Sequence, residues 1–80
     1  MKTRLDYWHN GQRYPIKLTS YGHSLLAQHA DGNPSAAITA ALVAFLGAED
    51  HMATAKAFCY LYGMSLSVLV EIALSRHFDR

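Results

Sequence analysis

Cysteine is almost missing from this chain: Cys59 stands alone, so no disulfide can close within it. Proline is nearly as scarce, at Pro15 and Pro34. Charged residues make up only 16 % of the chain, which leaves no acidic run that would mimic a nucleic acid. No long hydrophobic run exists either. The longest, residues 36–48, is interrupted by Thr39 and Gly47 and falls short of the roughly 20 residues of a membrane-spanning helix. Nothing near the start resembles a secretory signal, so a cytoplasmic protein without a membrane segment is expected. Signals for catalysis are also absent. His9, His23, His29, His51 and His77 are scattered, no His, Cys or carboxylate cluster has metal-ligand spacing, Glu71 stands alone, and there is no glycine-rich phosphate loop. The expectation is therefore a protein that is not an enzyme, with no cofactor and no metal. Cys59 lies among Ala57, Phe58, Tyr60 and Leu61 and reads as a buried structural thiol.

What is present suits one small domain. Eighty residues cannot build two independent cores, and 51 % hydrophobic content excludes a disordered chain. A single core of this size is marginal, so a homodimer is an expectation from length alone. The net charge is +1, yet the charges are unevenly placed. Lys2, Arg4, Arg13 and Lys17 fall in the first seventeen positions with only Asp6 opposing them, whereas Lys56, Arg76 and Arg80 face five acids in the rest. A locally basic end on a nearly neutral chain suggests a contact with a polyanion, or else a solvated strand face.

Residues 1–19 read as a β-hairpin. Asn10-Gly11 tolerates the positive φ angles of a two-residue turn, which sets His9 against Gln12 and fixes the register. Alternation then divides the side chains between two faces. One face collects Thr3, Leu5, Tyr7, Tyr14, Ile16 and Leu18; the other collects Arg4, Asp6, Trp8, Arg13, Pro15 and Lys17. Pro15 has no N–H to donate, so its strand should have a free edge there.

Beyond Leu18 the period changes to that of helices. Thr19-Ser20 offers an N-cap for a helix over residues 21–30 that carries Leu25, Leu26 and Ala30, although Gly22 weakens it. Asp31-Gly32-Asn33-Pro34 stops that helix and restarts a second over residues 35–46, with Ile38, Ala41, Leu42 and Phe45 on one stripe. Gly47 ends it. A third helix is expected from about Asp50 to Leu61, closed by Gly63. A fourth, capped by Ser65 or Ser67, carries Val70, Ala73, Leu74 and Phe78. The fold class is thus α+β: a hairpin, a first helix pair (20–46) and a second (50–78). The segment Ser35-Ala36-Ala37-Ile38-Thr39-Ala40-Ala41-Leu42 lies over Ser67-Val68-Leu69-Val70-Glu71-Ile72-Ala73-Leu74 at an offset of 32 residues, which is either an internal repeat or the coincidence of two apolar helices.

With those elements in place the chain resembles the ribbon–helix–helix family, the Arc- and MetJ-type repressors. Ile16-Lys17-Leu18-Thr19 resembles the strand end, Leu26 and Ala30 the first-helix core, and Gly32-Asn33-Pro34-Ser35 the turn, followed by Ile38, Ala41-Leu42 and Phe45-Leu46. Gly63-Met64-Ser65-Leu66-Ser67, then Val70, Ala73-Leu74 and Phe78, matches the turn and second helix more closely. Two features depart from the family. The first turn is one residue short and lacks a basic residue, and the second helix pair has no strand of its own. The family makes its ribbon from one strand of each of two subunits. Here the resemblance implies a degenerate tandem or single-chain version, or a dimer that exchanges strands.

The resemblance implies a small transcriptional regulator that binds double-stranded DNA sequence-specifically, as a repressor does. Its ribbon would enter the major groove with Arg4, Arg13 and Lys17 toward base edges and Trp8 packing or stacking. The helix starts at Ser35 and at Ser65 and Ser67 would meet phosphates. Asp6 in the middle of the basic face would pair with Arg4 or Arg13, accept from cytosine N4, or mark a face that does not meet DNA. The alternative is a small phage- or plasmid-type inhibitor or antitoxin-like module that binds a protein partner through Tyr7, Trp8 and Tyr14. A purely structural subunit is the third reading.

Overall fold

A computed structural model describes residues 3–79; Lys2, the Thr3 side chain and Arg80 lie outside the described residues. Two antiparallel strands, β1 (Thr3–His9) and β2 (Gln12–Leu18), are followed by four helices: α1 (Ser20–His29), α2 (Pro34–Leu46), α3 (His51–Tyr62) and α4 (Leu66–Phe78). The expected α+β architecture is present, and the ribbon forms within one chain.

The hairpin register agrees with the sequence reading at every pair, from His9 against Gln12 to Thr3 against Leu18. Asn10 at φ 50° and Gly11 at φ 75° make the turn. The backbone N–H groups of Trp8 and Lys17 point off the ribbon, toward Ser35 and Ser67. By alternation, Asp6 and Pro15 also form a pair that exchanges no backbone hydrogen bonds, so proline at 15 leaves no ladder donor missing.

Each helix starts on a side-chain cap. Thr19 accepts from the Gly22 N–H, Asn33 from Ala36, Asp50 from Ala53 and Ser65 from Val68. These bonds correct one expectation and decide between two alternatives in another. The second helix begins one residue earlier than Ser35, because Asn33 caps it and Pro34, which has no N–H to satisfy, takes the first turn. Of the two serines offered as cap for α4, Ser65 does the work, and the Ser67 hydroxyl faces a strand instead. Gly47 and Gly63 end α2 and α3 in left-handed conformations.

The core lies between the inner face of the ribbon and the crossing of α2 with α4. Tyr7, Ile16 and Leu18 from the strands are fully buried against Ile38, Ala41 and Leu42 of α2 and Leu69, Val70, Ala73 and Leu74 of α4. The Cα radius of gyration, 11.5 Å, is what a close-packed chain of this length should have, about 12 Å, so the hairpin is docked and does not project. The 32-residue offset is a structural repeat. Shifting α2 by that offset gives the bounds of α4, and it carries the buried set Ala37, Ile38, Ala41, Leu42 onto Leu69, Val70, Ala73, Leu74. α1 and α3 follow the same spacing to within a residue or so, but bury different side chains: Leu25 and Leu26 in one, His51, Met52 and Ala55 in the other. Among the described residues no single helix is long and apolar enough to cross a membrane.

Candidate nucleic-acid interface

The ribbon has one covered face and one open face. Alternation places Arg4, Asp6 and Trp8 of β1 beside Arg13, Pro15 and Lys17 of β2, and all six are exposed. Among the described residues no helix covers them. Arg4 stands opposite Lys17, and Trp8, 54 % exposed, opposite Arg13. The sequence left the partner of Asp6 open between Arg4 and Arg13. The structure gives Arg13, with Nη1 3.8 Å from Asp6 Oδ2. Both side chains are well exposed, so this pair is worth little to stability, at most about 1 kcal/mol. Among the described residues Arg4 and Lys17 have no ion-pair partner. Three cations against one carboxylate leave the face positive.

The helix starts meet this ribbon at its two edges. Ser35 Oγ accepts from the Trp8 N–H at 3.0 Å on the β1 edge, and Ser67 Oγ accepts from the Lys17 N–H at 2.9 Å on the β2 edge. The hydroxyls of Ser35 and Ser67 are therefore committed to holding α2 and α4 against the strands. Among the described residues no acceptor meets the N–H groups of Ser35, Leu66 or Ser67, so each start keeps donors and a positive dipole end beside the basic face. Ser65 lies within the α4 start as its cap.

Tyr7 and Tyr14 sit on the inner face, Tyr7 fully buried and Tyr14 half-buried, so among the described residues Trp8 is the aromatic on the open face. Exposed aromatic surface lies elsewhere, at the end of α3, where Tyr60, Leu61 and Tyr62 are 88, 75 and 65 % exposed.

Polar contacts that sequence reasoning did not find anchor the ribbon from beneath. The Tyr7 hydroxyl lies 2.7 Å from Thr39 Oγ1 and 2.8 Å from His51 Nε2. The His9 ring meets the His51 ring edge-on, with centroids 4.4 Å apart. Burial, with His9 adding to it, lowers the His51 pKa below the ordinary 6.5, and burial raises that of Tyr7. The Glu71 carboxylate accepts from the Thr19 N–H at 2.9 Å and the Thr19 hydroxyl at 2.8 Å, which pins the β2–α1 junction to α4. A groove of about 320 Å³ opens there beside Lys17 and Arg76, but its polar lining at Thr19, Ser67 and Glu71 is spent on these contacts. Cys59 is half-buried rather than fully buried, and burial still raises its pKa. No group of three or more His, Cys, Asp or Glu among the described residues could hold a metal. No family model, no curated protein and no solved structure matches the chain.

Proposed function

We propose that this protein is a sequence-specific binder of double-stranded DNA, a small regulator that inserts its two-stranded ribbon into the major groove. The observation that carries the reading is the uncovered ribbon face, with Arg4, Arg13, Lys17 and Trp8 exposed on a hairpin docked on the helices. A two-stranded ribbon matches the groove width of roughly 12 Å, and arginine and lysine on its outer face can reach guanine acceptors. Arg13 lies near Asp6 in a weak exposed pair that a base could replace. The starts of α2 and α4 flank the ribbon on opposite edges, where the phosphates of the two DNA strands would run. An intrachain ribbon flanked by two helix pairs supports the single-chain form of the ribbon–helix–helix reading over the strand-exchanging dimer. For the alternative, a protein partner bound through the hairpin, the available aromatic surface is Trp8 and part of Tyr14, since Tyr7 is buried.

Fluorescence anisotropy with mixed-sequence duplex across a salt series tests this. Binding should weaken linearly on a log–log plot. Arg13→Ala with Lys17→Ala should weaken it further and make the slope shallower by about 1 to 2. No binding at low salt, or binding indifferent to the double substitution, would overturn the proposal.

A further inference from the structure

The repeat and the hairpin share one symmetry. The ribbon is centred on the pair Asp6 and Pro15, and Trp8 and Lys17 each lie two residues beyond that centre on their own strands. A two-fold axis through the centre therefore exchanges Trp8 with Lys17. Their N–H groups donate to Ser35 and Ser67, residues that the 32-residue repeat also exchanges. The same operation exchanges the two edges of the ribbon and the two buried stripes of α2 and α4. One chain thus builds a pseudo-two-fold scaffold that contains both halves.

The symmetry of the backbone is not kept by the outer side chains. Arg4 and Arg13 occupy equivalent places, but Trp8 answers to Lys17 and Asp6 to Pro15. Two identical subunits would have to duplicate every outward residue and would read an inverted repeat. A single chain is free of that constraint. Resting on the duplex-binding reading above, we infer that this ribbon binds one non-palindromic DNA site, one chain per duplex. Arg4 and Arg13 supply a guanine contact to each half, and the pairs Trp8/Lys17 and Asp6/Pro15 make the halves different. Lysine recognises base acceptors or a phosphate, whereas tryptophan offers only apolar surface and one donor. Aspartate accepts from cytosine N4 and steadies Arg13, whereas proline offers only apolar contact, suited to a thymine methyl.

Selection of bound sequences from a random duplex library with the full chain, followed by native mass spectrometry of the selected complex, tests this. The expected motif has no inverted-repeat symmetry, and the complex holds one chain. A duplex in which one half is replaced by the inverted copy of the other should bind at least roughly tenfold more weakly. Trp8→Lys with Pro15→Asp, both at exposed positions, makes the outer face symmetric and should shift the selected motif toward an inverted repeat. Selection of an inverted repeat by the unaltered chain, or two chains per duplex, would overturn the inference while leaving the proposed function intact; tight binding without sequence preference would overturn the inference and the sequence specificity proposed above, leaving only duplex binding. Failure to bind any duplex would overturn both.

Discussion

At Tyr7 a hydroxyl buried beneath the ribbon meets two partners, Thr39 of α2 and His51 at the start of α3. Removing it leaves the nearly inaccessible His51 ring nitrogen without its tyrosine partner, and such a group costs about 1–3 kcal/mol. Tyr7→Phe should therefore lower Tm by several degrees in a domain of this size, read by circular dichroism, whereas the exposed Tyr60→Phe should leave it unchanged. His51 also makes stability depend on pH. Its folded pKa lies below the ordinary 6.5, held down by burial and by His9 and only partly opposed by Asp50. The unfolded chain thus binds the proton more readily. The stability due to the neutral ring is complete above about 6.5 and is lost as pH falls from there through the folded value. Urea unfolding should show a lower midpoint at about pH 5.5 than at about pH 7.5, and His51→Gln should shrink that difference. An equal difference in both proteins would remove His51 as its source.

Among the elements, the hairpin was the most legible, because two separate signals agreed. Asn10-Gly11 fixed the turn, and the alternation of Leu5, Tyr7, Ile16 and Leu18 required the same register. Helix limits were legible to within a residue or two: α2 starts one residue before Ser35 because Asn33 caps it, and α4 takes Ser65, one of the two caps the sequence offers. Gly22 shows what local patterning cannot reveal. In sequence it weakens α1; in the fold it is where α1 approaches α4. A Cβ there would stand 2.9 Å from Glu71 Oε1 and 3.2 Å from the Leu18 Cβ. Helix propensity favours alanine over glycine by up to about 1 kcal/mol, but displacing the carboxylate that holds Thr19 should outweigh it. Gly22→Ala is accordingly expected to destabilise by about 1–2 kcal/mol in urea, against the sign that propensity alone gives.

Across the whole molecule, what makes the site is the way long-range packing uses local pattern. Alternation told which side chains share the basic face. It could not tell that α2 and α4 would cover the other face and bring their starts to the ribbon edges, since the bonds from Trp8 to Ser35 and from Lys17 to Ser67 span 27 and 50 residues. For the same reason the sequence could not show that the Ser35 and Ser67 hydroxyls accept from the strand edges, while the N–H groups at those helix starts meet no acceptor among the described residues. The histidines appeared scattered because His9 and His51 meet only once α3 is packed beneath the hairpin. The repeat was visible as one aligned window, and its meaning depended on the ribbon having two edges to serve.

The most direct measurement is a titration of isotope-labelled protein with duplex DNA, followed residue by residue in amide and indole NMR spectra. The account predicts that Arg4, the Trp8 indole, Arg13, Lys17 and the amides of Ser35, Leu66 and Ser67 shift together in a single saturable transition, while Tyr60, Leu61 and Tyr62 stay in place. Shifts confined to the end of α3, or a ribbon that does not respond, would contradict it.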